Sequence, residues 1–159
     1  MTLWQLVRAP AKAGALRDLA CQLVEGDLSQ ASAIERGVAG CDAVFHIGAM
    51  YKVGIPTSGH PAMYDANVRG TERVLDAAAR AGVARIVHVS TGNVYGNTRG
   101  RAVDEGYERP LPADFLSYYD ETKYLAHGVA LDRIGKGAPV VIAMPGASTV
   151  PATPPRSAT

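Results

Sequence analysis

The sequence predicts an α/β fold with one domain, in which about five parallel strands form the middle layer of a three-layer sandwich. Short apolar runs alternate several times with helix-like stretches along the 159 residues. Strands that are separated by helices pair in parallel through right-handed crossovers. The last two runs, 86–89 and 140–144, are rich in β-branched residues without polar alternation, as expected when helices cover both faces of a sheet.

Composition narrows the class of protein. The chain is 47% hydrophobic and 19% charged, with a formal net charge of +1. This balance argues against disorder, and against nucleic-acid or membrane-surface binding by bulk electrostatics. Cys21 and Cys41 form neither a CxxC pair nor a disulfide framework, and the four histidines have no metal-ligand spacing. With no signal-peptide pattern or apolar run of membrane-spanning length, we expect a cytoplasmic protein without a metal site.

Each element follows from a local pattern and a boundary residue. Gly26 and Gly48 end the second and third apolar runs, and several Pro and Gly residues make 51–61 a loop. The N-cap of the second helix is Ser29 or Asp27. The predicted strands cover 3–7, 22–25, 42–47, 86–89 and 140–144, and the predicted helices cover 11–20, 29–38, 62–81 and 114–134. Residues 147–159 are rich in proline and are predicted to form a disordered tail after a domain of residues 1–146.

The helix predicted over 62–81 has the clearest periodicity in the chain. Its apolar positions recur every three or four residues, and Gly82 suits the left-handed conformation that closes a helix. Asn67 and Gly70 are poor choices for a helix interior, where Gly costs about 1 kcal/mol relative to Ala. Such a violation indicates a packing or functional reason, for example a backbone carbonyl that is freed to hold a water.

Two segments carry groups suited to proton transfer. Tyr119 and Lys123 are four residues apart in a predicted helix, and therefore lie on one face. A nearby ammonium would stabilise a phenolate and lower the pKa of Tyr119, although a surface Tyr beside a solvated Lys has the same spacing. Ser90 and Thr91 end the fourth strand, where ligands bind in open α/β sheets, or their hydroxyls simply bond to the backbone.

Five motifs in sequence order resemble the extended short-chain dehydrogenase/reductases, and among them the NAD-dependent epimerase/dehydratase group. The motifs are GDL at 26–28, VFHIGA at 44–49, NVRGT at 67–71, STGNVYG at 90–96 and YDETK at 119–123. The resemblance covers about residues 6–146. It implies a partial Rossmann-like domain that binds NAD or NADP.

The resemblance also implies a catalytic role for four residues. Tyr119 matches the catalytic acid/base, and Lys123 matches the residue that lowers its pKa and bonds the nicotinamide ribose. Thr91, or less well Ser90, matches the residue that orients the substrate oxygen. Asn67 matches a member of the proton relay.

Further matches imply contacts with the cofactor. Asp27 and Leu28 would flank the adenine, and the turn at Pro145 and Gly146 would lie beside the nicotinamide. Arg8 could meet an adenosine 2′-phosphate and favour NADP, or it is a solvated arginine. At the end of the third strand, His46, Gly48 and Ala49 would lie along the cofactor.

Two parts of the family pattern are missing from the sequence. The glycine-rich turn GxxGxxG that holds the pyrophosphate, together with the strand before it, does not occur, and neither does the carboxyl-terminal substrate lobe. The sequence resembles a central piece of a longer enzyme, so we expect weak or no dinucleotide binding by these residues alone. Without the family's central first strand, two strand edges are unpaired, unless the gap closes to give the order 2-1-3-4-5.

The resemblance implies hydride transfer between a nicotinamide and a hydroxyl or carbonyl substrate, in which Tyr119 moves the proton. The substrate would be a nucleotide-sugar or a similar small molecule. A carbonyl reductase resembling dihydroflavonol reductases fits almost as well. A non-catalytic remnant that acts as a binding module, and assembly with a chain that donates the missing strand, stay open. A homodimer through the helices at 62–81 and 114–134 is implied by resemblance only.

Overall fold

Short parallel strands and helices alternate in the chain, which confirms the predicted α/β class. The structure is a computed structural model that describes residues 2–110 and 114–145. The strands are β1 (Trp4–Val7), β2 (Gln22–Glu25), β3 (Ala43–His46), β4 (Arg85–Val89) and β5 (Val140–Ala143). The α-helices are α1 (Gly14–Asp18), α2 (Ala31–Val38), α3 (His60–Tyr64), α4 (Gly70–Arg80) and α5 (Tyr118–Gly135). The predicted tail at 147–159 and Gly146 lie outside the described residues.

The strands form two separate parallel sheets, with the orders β1-β2 and β3-β4-β5. The closed order 2-1-3-4-5 is therefore wrong for the described residues, in which no ladder joins β1 to β3. The helices explain the gap, because α2 packs on β1 and β2, α4 packs on β3, and α2 packs on α4. The two sheets are thus joined through packed helices and not through a backbone ladder among the described residues.

A single layer of helices covers one face of both sheets. Leu6 of β1 and Val44 of β3 pack against the same buried cluster, formed by α2 and α4. A second buried cluster joins α4 and α5 to β4 and β5 through Leu75, Ile86 and Ala130. The cores under the two sheets are therefore connected through the helices.

The opposite face of the larger sheet is open among the described residues. Phe45 of β3 is 65% exposed, and Val141 of β5 is 57% exposed. The helix α1 has no buried residue. The described residues thus show two layers where the apolar strand runs predict three.

The helix predicted over 62–81 is one long helix from 60 to 80, interrupted by a π turn at Asp65–Arg69. Gly82 ends it with a φ of 70°, as predicted. Gly70 is explained by packing, because a Cβ on it would lie 3.0 Å from the Leu28 Cβ. The backbone carbonyl of Asn67 accepts a hydrogen bond from Thr71 Oγ1 (2.7 Å), where we expected a water.

Three predicted helix starts are wrong by a few residues. The helix predicted over 11–20 is a 3₁₀ turn at Pro10–Lys12 followed by α1, which begins at Gly14. The helix α2 begins at Ala31, and its N-cap Gln30 makes no capping bond with its side chain. Asp27 Oδ1 instead accepts from the backbone N–H of Ser29 (3.0 Å), so it shapes the turn before the helix. The helix α5 begins at Tyr118, four residues later than predicted, because Ser117 is extended and caps it. None of the described helices is long and apolar enough to cross a membrane.

Candidate active site

The first turn of α5 is fixed from two sides. Ser117 Oγ accepts from the backbone N–H of Asp120 (3.2 Å) and donates to that residue's carboxylate (3.0 Å). The other carboxylate oxygen accepts from Asn93 Nδ2 (2.9 Å), in the 3₁₀ turn Gly92–Tyr95 that follows β4. Tyr119 is therefore held in a turn that is tied to the carboxyl end of β4.

Lys123 lies one helical turn after Tyr119 and reaches the sheet. Its side chain is buried, and Nζ donates to the backbone carbonyl of Val89 (3.0 Å). Burial lowers the pKa of Lys123 below its usual value. Tyr119 is half-buried and packs edge-on against Tyr51, with 4.8 Å between the ring centroids.

The phenol of Tyr119 is less acidic than the resemblance implies. Burial raises its pKa above 10, and the Tyr51 phenol and the Asp120 carboxylate add to the increase. Lys123 Nζ donates to the Val89 carbonyl, and no hydrogen bond joins it to the Tyr119 phenol among the described residues. In this structure Tyr119 is protonated at neutral pH.

Asn67 connects three segments of the site through its buried amide. Oδ1 accepts from the Met50 N–H (2.7 Å), and Nδ2 donates to the Met50 carbonyl (3.1 Å) and to Thr122 Oγ1 (3.0 Å). The Thr122 hydroxyl in turn donates to the carbonyl of Tyr119 (2.9 Å). The π turn thus holds the loop after β3 and the first turn of α5 together, in keeping with the enrichment of π turns at functional sites.

The two hydroxyls at the end of β4 have different surroundings. Thr91 is partly exposed, and its Oγ1 accepts from the N–H of Asn93 (3.3 Å) at the start of the 3₁₀ turn. Ser90 is 4% exposed, and its Oγ pairs with His127 Nδ1 (3.0 Å). Thr91 is therefore the more accessible of the two to a substrate.

The residues expected near an adenine lie at the carboxyl ends of β1 and β2. The Asp27 carboxylate is 3.8 Å from Arg8 Nε, and both side chains are solvent-accessible. Leu28 reaches across to the end of β3, since its Cδ1 lies 3.5 Å from where a Cβ of Gly48 would be. Arg73 Nη1 donates to the Leu28 carbonyl (3.1 Å) and fixes this segment.

His46 is placed differently from the other residues after β3. Its ring is buried, bonds to Thr71 Oγ1 (2.9 Å) and packs against His88 with 5.3 Å between centroids. Its side chain therefore faces the helices and not the strand end, because it shares the inward orientation of Val44. Gly48, Ala49 and Pro145 are exposed at the carboxyl ends of their strands.

Sequence reasoning missed four residues that hold the site: Tyr51, Arg73, Thr122 and His127. His127 was detectable, because it lies four residues after Lys123 on the same helical face. The other three were not detectable, because each packs against or bonds to a segment that is remote in sequence. No group of three or more metal-ligating side chains occurs among the described residues.

The comparisons with known proteins identify the family to which this fold belongs. Residues 2–152 match the model of the NAD dependent epimerase/dehydratase family. The chain belongs to this family. The family is NAD(P)-dependent.

Three relatives illustrate the range of the family. The chain is 32% identical over 141 residues to a dihydroflavonol 4-reductase candidate from Synechocystis sp., covering 88% of this chain and 40% of the relative. It is also 36% identical over 141 residues to a dihydroquinoline-1-oxide ketoreductase of Stigmatella aurantiaca, covering 88% of this chain and 41% of the relative. A double mutant of dTDP-glucose 4,6-dehydratase from Streptomyces venezuelae, crystallised with NAD, is 29% identical with a TM-score of 0.70, over 90% of this chain and 45% of that one. The chain thus spans less than half the length of each.

Proposed function

We propose that the protein is an NAD(P)-dependent reductase of a small ketone, in which Tyr119 gives a proton to the substrate oxygen. The supporting observation is the network that joins Tyr119, Lys123 and Asn67 to the end of β4, beside Thr91. A phenol is protonated at neutral pH and can give a proton to a ketone oxygen, and the ketoreductase among the relatives favours this direction of reaction.

Each of the four residues has a separate task in this proposal. Tyr119 donates the proton, and the accessible Thr91 hydroxyl orients the substrate oxygen. Asn67 holds the π turn and the first turn of α5 in register, and Lys123 supplies an amine beside the end of β4. A bound nicotinamide supplies the hydride.

The described residues fit part of the cofactor. Asp27, Leu28 and the exposed strand end at Gly48 and Ala49 offer a carboxylate, an apolar side chain and open backbone, which suit an adenosine. Arg8 would meet a 2′-phosphate, and Pro145 would lie beside the nicotinamide. The sequence has no GxxGxxG turn, so these residues include no pyrophosphate cradle of that type.

A nucleotide-sugar dehydratase or epimerase is the second candidate, because one of the structural relatives crystallised with NAD is a dTDP-glucose dehydratase. A cytoplasmic setting and a homodimer through the long helices stay predictions.

The test is turnover by the protein. Ketone reduction is measured as the loss of NADH or NADPH absorbance, and conversion of dTDP-glucose, which regenerates the cofactor in each cycle, is measured by chromatography of the sugar product. Dihydroquercetin, a 3-oxoester and dTDP-glucose are the substrate probes. We expect turnover of a ketone probe, and Tyr119→Phe should lower kcat by about 100-fold or more, since general acid catalysis contributes about 10²–10⁴.

The matched control is Tyr118→Phe, which removes the neighbouring phenol of the same helical turn. That ring stacks on His60 with 3.6 Å between centroids, and the control should keep kcat within about threefold, as expected for a group outside proton transfer. Equal rates for the two variants would remove Tyr119 from the mechanism. Turnover of dTDP-glucose alone would favour the second candidate.

A further inference from the structure

The helix α5 contacts Val89, the last residue of β4, and Ser90, which follows it, through one row of side chains. Tyr119, Lys123 and His127 recur every four residues and therefore share a face of the helix. Lys123 Nζ donates to the Val89 carbonyl (3.0 Å), and His127 Nδ1 pairs with the Ser90 hydroxyl (3.0 Å). The contact between His127 and Ser90 has no task in the proposed reaction.

Ser90 is held from the other side as well. Its backbone N–H donates to the carbonyl of Ala143 in β5 (2.8 Å). Its side chain is almost fully buried. Among the described residues, His127 is the hydrogen-bond partner of the hydroxyl. Thr91 follows directly in an extended conformation (φ −157°) and starts the 3₁₀ turn that bonds to Asp120. A shift of Ser90 along α5 would therefore move Thr91 relative to Tyr119.

We propose that His127 is a positioning residue, which fixes the end of β4 through the Ser90 hydroxyl and so sets the Thr91 hydroxyl relative to the Tyr119 phenol. This inference rests on the proposed function. An apolar residue at position 127 would fill the same space, but it would not fix the position along the helix axis, as a directed hydrogen bond does. In an enzyme site a displacement of about 1 Å can cost about 100-fold in rate.

The surroundings of His127 keep its ring neutral. Burial and the Lys123 amine lower the pKa of His127, and His127 in turn contributes to the lowered pKa of the buried His88 in β4. The strand β5 (Val140–Ala143) adds no titratable side chain. A neutral imidazole can either donate to or accept from a hydroxyl, so the pair with Ser90 is satisfied in either tautomer.

The test compares His127→Asn with His127→Leu in the hydride-transfer assay. The amide of Asn places a polar atom one bond from Cγ, as Nδ1 of His does, whereas Leu keeps volume and loses the hydrogen bond. We expect His127→Leu to lower kcat about tenfold while the KM for the cofactor changes less than about twofold. His127→Asn should keep kcat within about threefold of the wild-type value. Ser90→Ala should lower kcat as His127→Leu does, and the double variant should lose no more, since the two residues act as one pair.

The outcomes separate this inference from the proposed function. A wild-type protein that transfers no hydride would overturn the proposed function and this inference with it. An active wild type in which His127→Leu keeps full kcat, or in which Asn rescues nothing, would overturn the inference alone. If His127→Leu does not fold, His127→Ala and its double variant with Ser90→Ala replace it: additive losses overturn the inference, and non-additive losses support it.

Discussion

Gly26 lies where β2 ends, directly under the first turns of α2. A Cβ at this position would be 2.2 Å from the Ala33 Cβ and 3.1 Å from Leu6 Cδ1. Because neither the helix nor β1 can move away cheaply, Gly26→Ala should lower the free energy of unfolding by about 1–3 kcal/mol or more. Chemical denaturation measures this loss.

A second glycine provides the control for this substitution. Gly37 is inside α2, and no atom lies within 4 Å of its Cβ position. Gly37→Ala should therefore raise the free energy of unfolding by about 0.5–1 kcal/mol, through higher helix propensity. Equal effects of the two substitutions would contradict the packing explanation for Gly26.

At single positions, sequence reasoning locates chemical groups better than it orients them. Tyr119, Lys123, Asn67 and Thr91 were identified from the motifs, and the structure brings the segments that carry them to one end of the sheet. The direction of the Lys123 amine, toward the Val89 carbonyl, depends on β4, which is 34 residues away in sequence. The pKa of Tyr119 depends on Tyr51 in the same way.

The N-terminus of α5 shows how one cap determines the register of the helix that carries Tyr119. Ser117→Ala removes the acceptor for the Asp120 N–H and should lower the free energy of unfolding by about 1 kcal/mol. Ser117→Thr keeps the hydroxyl and is the control, with an expected loss of a few tenths of a kcal/mol. Thermal or urea unfolding measures both, and an equal loss in the two variants would show that the cap is not responsible.

The elements were predictable where one local pattern decides them. The strand at 22–25 and the long helix at 62–81 follow from periodicity and from a closing glycine, and both were predicted closely. The π turn at Asp65–Arg69 was not, because one extra residue in a turn barely disturbs an apolar stripe. The start of α5 was missed, because 114–117 continues the pattern while Ser117 takes an extended conformation.

A buried layer of imidazoles between the sheet and α5 should make the whole molecule sensitive to acid. Burial lowers the pKa of His46 to about 4 and that of His88 to about 3, and neither ring nitrogen of His88 has a partner among the described residues. Below pH 6.5 the unfolded chain therefore binds more protons than the folded protein. The contribution of these neutral imidazoles to the free energy of unfolding is complete above pH 6.5. It falls as the pH drops toward 3, by up to about 1.4 kcal/mol per pH unit for each group.

Replacing one imidazole isolates this contribution from other acid-labile groups. His88→Leu places an apolar side chain at an inward position of β4 that is already fully buried. As the pH falls from 6.5, the free energy of unfolding should decrease less in the variant than in the wild type. Urea unfolding at several pH values measures it, and parallel curves for the two proteins would contradict the prediction.

The arrangement of the two sheets was beyond local reasoning, because the gap between β1 and β3 depends on the packing of α2 on α4. Its consequence concerns stability. Among the described residues β1-β2 shares no ladder with β3, so the two sheets are held together by side-chain packing around α2 and α4 and by the hydrogen bond from Arg73 to the Leu28 carbonyl. A substitution that loosens α2 on α4 would therefore also separate the end of β2, with Asp27, from the end of β3.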